Sequence, residues 1–145
     1  MPHASGIDYQ VMEEALRSLD RVPLPPGLKG LPPERDGRPW TPAGIRAAGL
    51  NALGDLPTPF ALLSRSGLVH NAGVMGRYCA DASVLLAPHG KTTMAPSLWK
   101  LQFENGTWGL TVALPHQAVT AHRFGIRRIL LANEAADPRS LEVLA

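Results

Sequence analysis

The sequence has one cysteine, Cys79, and almost no charge imbalance: 14 basic against 12 acidic residues give a net charge of +2. A lone cysteine excludes an internal disulfide and fits a reducing compartment. The small net charge, with no run of Lys or Arg, excludes the electrostatic footprint of a nucleic-acid-binding protein. No apolar run approaches the roughly 20 residues that a bilayer-spanning helix needs. The opening stretch MPHASGIDYQ lacks a basic segment followed by an apolar one, so it does not read as a signal peptide. These absences point to a soluble, cytoplasmic protein with neither nucleic acid nor membrane as partner. What is present suffices for one globular core, since 45% of the 145 residues are hydrophobic.

Residues 5–20 read as a short amphipathic helix, because Val11, Met12, Ala15, Leu16 and Leu19 follow the spacing of one helical face. Residues 22–42 then hold half of the chain's 14 prolines. Proline removes backbone donors and disfavours helix in each preceding residue, so this is a linker or wrapped arm. The two together make residues 1–54 a helix and a Pro-rich arm. Residues 55–145 have another texture. Apolar runs at 59–63, 83–87, 108–113 and 129–132 read as buried strands. Between them lie predicted helices over 67–81 (Ser66 as N-cap), 96–104 (stopped by Asn105-Gly106) and 116–124 (closed by Gly125). Asp137-Pro138 opens a last helix. Strands that are apolar throughout and alternate with helices predict a parallel sheet, that is, an α/β fold of about four βα units.

In such folds the chemistry sits where strands end and helices begin. One such point is the stretch LLAPHGKTTM, residues 85–94. Its GKT resembles the tail of a phosphate-binding loop, but the first glycine of G-x-x-x-x-G-K-[ST] would fall on Leu85, and Pro88 removes a cradle amide. The other reading is covalent. If the strand runs on to Lys91, then Ala87, His89 and Lys91 alternate onto one face. A lysine partly desolvated in a barrel mouth would hold a free amine near neutrality, as imine formation requires. A lone strand-end lysine is otherwise simply solvated.

Thr58-Pro59 before the first strand, Asn71 and Met75 in the following helix, and Pro88-His89-Gly90-Lys91-Thr92 after the second strand occur in a recognisable order. Thr111-Val112-Ala113 and Leu131-Ala132-Asn133 continue it. Over roughly residues 55–145 the chain resembles the N-terminal half of the alanine-racemase-like pyridoxal-phosphate enzymes. It looks most like the D-threonine aldolase and D-serine dehydratase branch, especially proteins called amino acid deaminases. The resemblance implies the N-terminal portion of a (β/α)8 barrel, with Lys91 holding pyridoxal 5′-phosphate as a Schiff base. It implies a D-amino acid substrate, with either deamination of a D-serine-like molecule or retro-aldol cleavage of a D-3-hydroxy amino acid. A homodimer and a divalent metal are further implications, the metal ligands lying outside this chain. The alternatives are a non-catalytic pyridoxal-phosphate-binding protein and an inactive barrel remnant.

Beside Lys91, His89 is expected either to contact the cofactor or orient the lysine, or else to cap the loop by bonding backbone. Thr92 is expected to donate to the lysine or cofactor, or to serve as an ordinary helix cap. Asn71 is expected to be buried and paired with backbone, and Cys79 to be core. Asn133 and Glu134 are candidates to line the pocket. His116 and His122, six apart, do not share a helix face and make no metal pair. A complete barrel needs roughly 250 residues, so the sequence is read as an N-terminal fragment that is inactive alone.

Overall fold

The computed structural model describes residues 6–34 and 37–145, and is mixed α/β, mostly helical, with a small parallel sheet. Its elements are α1 (Tyr9–Leu19), α2 (Pro42–Ala47), α3 (Ala52–Asp55), α4 (Arg65–Asp81), α5 (Pro96–Glu104), β1 (Leu110–Val112), α6 (Pro115–Arg123), β2 (Ile129–Leu131) and α7 (Pro138–Leu144). The chain divides into two compact units. One comprises the described residues up to Leu16 together with Arg65–Ala145, and the other is Arg17–Ser64. Among the described residues, no helix is long and apolar enough to cross a membrane. The start of the predicted N-terminal helix, Ser5, lies outside the described residues.

In the first unit, helix boundaries follow local chemistry. Proline occupies the first turn of α5, α6 and α7, where its missing N–H costs no intrahelical bond. Asp137 caps α7 by accepting from the Ser140 amide at 2.9 Å. Gly106 and Gly125, just past α5 and α6, take positive φ and let the chain leave each helix. The structure begins α4 at Arg65, so Ser66 lies inside its first turn instead of capping it.

Two of the expected strands form, as β1 and β2. They pair in parallel with Leu110, Thr111 and Val112 opposite Ile129, Leu130 and Leu131. The expected strand over 59–63 does not form. Those residues take no strand geometry, and Leu62 and Leu63 are 65% and 70% exposed, so no ladder or burial rewards extension. The expected strand over 83–87 is displaced forward and frays. Leu86 and Pro88 carbonyls accept from Trp108 and Thr111 amides at 2.9 Å each, and the Gly90 amide donates to Thr111 O at 2.8 Å. Pro88 has no N–H to return, and only His89, opposite Thr111, makes a bridge. The sheet is therefore β1 flanked by β2 and by this partial strand, and no closed barrel exists among the described residues.

As the middle element, β1 is buried along its whole length. Leu110 and Val112 pack with Trp99 and Phe103 of α5, Ala118 and Ala121 of α6, and Ile126. Ile7 and Met12 complete this core from the N-terminal segment, which is thus part of the folded unit. The Asp8 amide donates to Gly125 O at 2.7 Å, and the Asp8 carboxylate pairs with Arg127 at 3.2 Å. The second unit holds two short helices in and beyond the proline-rich stretch. Thr41 caps α2 through its hydroxyl, and Asn51 caps α3 through its amide oxygen. Trp40 is buried there and donates to Pro33 O at 3.0 Å.

Candidate functional site around Lys91

A parallel ladder brings the carboxyl ends of its segments to one end of the sheet. That end gathers His89 and Lys91, the residues after Val112, and Asn133-Glu134 after β2. His89, Thr111 and Leu130 stand in register across it. Thr111 is buried and its hydroxyl donates to Ala87 O at 2.6 Å, which ties the partial strand to β1 a second time. Asn133 and Glu134 are exposed.

The strand does not run on to Lys91. Pairing with β1 ends at Gly90, and residues 91–93 turn, closed by the Met94 amide donating to Gly90 O at 3.0 Å. Met94 takes φ +43, an uncommon conformation for a side-chain-bearing residue that the turn imposes. Alternation holds as far as His89, opposite to the core-facing Gly90, and stops there. Lys91 is exposed, so the described residues do not supply the desolvation expected of a barrel mouth.

His89 is exposed and its ring has no hydrogen-bond partner among the described residues, so it does not cap the loop. Thr92 is exposed in the turn, and neither it nor Thr93 caps α5, whose N-cap is Ala95. The bland assignments for these two side chains are thereby removed. Asn71 is exposed, contrary to the expected buried role, because it lies at the edge of the α4 face that meets α5. Cys79 is buried, as expected of a core position.

The three lysines differ in availability. Lys100 is held by Glu104 and by Glu13, the latter at 3.1 Å, and these carboxylates raise its pKa by bonding its protonated form. Lys29 belongs to the second unit, beside Pro59 and Phe60. Lys91 makes no ion pair among the described residues and sits at the carboxyl end of the sheet.

A cavity of about 320 Å³ opens between α4 and α5, over the face of the partial strand that carries Leu86 and Pro88. Leu68, Met75 and Cys79 line its α4 side and Leu101 its α5 side. It lies on the helix side of the sheet and does not include Lys91, so it is not the lysine's pocket. No group of three or more His, Cys, Asp or Glu able to hold a metal exists among the described residues. His116 and His122 are separately exposed.

Two residues of this region carried no legible signal. Trp99 lies within the helix expected over 96–104, and Gly90 within the strand expected to run on to Lys91. In the structure the Trp99 indole abuts Gly90 from below. No protein-family model matches the chain, and no curated protein matches it either.

Proposed function

We propose that this chain is the N-terminal part of a pyridoxal-phosphate-dependent enzyme acting on D-amino acids, with Lys91 as its covalent anchor. The reading takes the chain as the first portion of a (β/α)8 barrel in a cytoplasmic protein. The observation that carries it is the position of Lys91. It is the first residue beyond the segment paired with β1, at the carboxyl end of a parallel sheet, exposed and engaged by no carboxylate among the described residues. An aldehyde must reach an unhindered amine to form an imine, and this amine fits that requirement.

In this reading Lys91 Nζ holds the cofactor and, once released, takes the proton from the substrate Cα. His89, one residue before the core-facing Gly90 and without a hydrogen-bond partner among the described residues, is available to donate to or accept from the bound group. The Thr92 hydroxyl is likewise unengaged by α5 and available to donate. When bound, pyridoxal phosphate supplies an electron sink for the charge left at Cα. Loss of the β-hydroxyl of a D-serine-like substrate as water would leave an enamine that, once released, tautomerises to an imine and takes up water to give keto acid and ammonia. Cleavage of Cα–Cβ in a D-3-hydroxy amino acid is the sibling outcome. A second reading, a pyridoxal-phosphate-binding protein without turnover, is favoured by the exposure of Lys91, because reaction centres exclude water.

The test is reductive trapping. The protein is incubated with pyridoxal phosphate, reduced with borohydride and digested, and the modified lysine is located by mass. Label concentrated on Lys91 over Lys29 and Lys100, and lost in Lys91→Ala without transfer to another lysine, is the expected result. Label spread evenly over the three lysines refutes the anchor. Ammonia or aldehyde release from D-serine or D-threonine by the complete barrel protein, of which this chain would be the first part, separates the enzyme from the carrier.

A further inference from the structure

We propose that Trp99 is a positioning residue for Lys91, acting through Gly90; the proposal rests on the reading of Lys91 as the covalent anchor. Trp99 is 1% exposed and sits edge-on to Phe124 at 6.3 Å between ring centroids. Its indole Nε1 is buried without a hydrogen-bond partner among the described residues. A buried unpaired N–H destabilises a fold, so the indole is not placed here for its hydrogen bond. What it contributes is shape. A Cβ built on Gly90 would lie 2.7 Å from Trp99 Nε1 and 2.8 Å from Leu110 Cδ1.

Gly90 is therefore seated on a platform made by Trp99 and Leu110, with its amide bonded to Thr111 O at 2.8 Å and its carbonyl accepting from Met94 at 3.0 Å. Three contacts fix that one backbone unit: strand pairing on one side, turn closure on the other, and the indole beneath. Lys91 leaves the chain at the next residue. Its Cα inherits the position of Gly90, so the platform determines where the amine starts from. Phe124 and Leu110 hold the indole in turn, and both belong to the core or pack against it. The anchor's placement is thus set from the interior of the fold and not by the exposed turn residues.

The experiment compares wild type, Gly90→Ala, Trp99→Phe and the double variant after limited exposure to pyridoxal phosphate and borohydride. The readout is the ratio of label at Lys91 to label at Lys29, with a melting curve on each protein as the folding control. Gly90→Ala is expected to lower the ratio on the order of tenfold, the scale of a misplaced reacting group. Trp99→Phe withdraws the ring edge from Gly90 and is expected to lower the ratio several-fold. The double variant, in which Phe relieves the clash with the indole but not the one with Leu110, is expected to recover part of the loss relative to Gly90→Ala. A merely structural role would lower the melt without changing the ratio.

Selective labelling in wild type with ratios within about twofold in both single variants overturns the positioning role and leaves the anchor intact. Absence of selective labelling in wild type overturns the anchor itself and the positioning role with it. Should Gly90→Ala fail to fold, Trp99→Phe alone decides, since it adds no atom and removes an unpaired donor.

Discussion

Asp8 shows how much a single side chain can carry near a chain end. Its carboxylate accepts from the Val11 amide at 3.2 Å and pairs with Arg127, and these bonds, the amide first, lower its pKa below 3.8. A carboxyl whose folded pKa is depressed contributes stability that is fully present above the unfolded value and is lost as pH falls through the folded one. Melting midpoint plotted against pH should therefore drop more steeply below pH 3.8 in wild type than in Asp8→Asn. Parallel curves for the two proteins would show that the pairing adds nothing. The loss is expected in the first unit, because both partners belong to it. Residue identity alone announced none of this: an Asp near an N-terminus and an Arg after a turn glycine acquire a relation only when Ile7 and Ile126 bridge.

Helix α4 illustrates the scale of the element. Its length and the exposure of His70, Arg77 and Asp81 agree with the sequence, although Val74 and Tyr78 are exposed beside them. Its close approach to α5 does not follow from periodicity. A Cβ on Gly76 would overlap the backbone carbonyl of Asn105, an atom that cannot swing aside. Ala in place of a mid-helix Gly stabilises a helix by roughly 0.5–1 kcal/mol. Overpacking against fixed backbone costs about 1–3 kcal/mol, so the clash wins. Gly76→Ala should lower stability in denaturant by about 1–2 kcal/mol net. An increase would mean that α4 shifts freely into the neighbouring cavity. The partial strand before Lys91 makes the complementary point. Its apolar run was legible, whereas its fraying depends on Pro88 meeting β1 at a position where a donor would have been used.

For the whole molecule, the sheet leaves apolar surface in solvent. Leu85 and Leu130 are 69% and 52% exposed, and β2 pairs on one side only among the described residues. An unpaired strand edge beside exposed leucines is a template for pairing with another chain. Sedimentation velocity should show concentration-dependent self-association that Leu130→Lys weakens, with the melting midpoint little changed. A clean monomer across the concentration range would remove this expectation. The same surface bears on the trapping experiment, which belongs at low protein concentration so that the carboxyl end of the sheet remains open.

The last third of the chain was largely written in its sequence. Pro96, Asn105-Gly106, Gly125 and Asp137-Pro138 delimit α5, α6 and α7 because helix ends are made by bonds within a few residues. Thr41 and Asn51 carried comparable cap signals for α2 and α3, the first obscured by the prolines on either side of it. Local chemistry cannot say whether an apolar run finds a strand partner. The runs at 59–63 and 129–132 look alike in sequence, yet only the second pairs, since pairing needs another segment brought alongside. The candidate lysine was legible from its neighbours Pro88, His89 and Thr92. Its surroundings were decided by tertiary structure: the end of pairing at Gly90 and the Trp99 indole under that glycine. Those depend on residues far from Lys91 in the chain that meet it only when the core closes around Leu110 and Trp99.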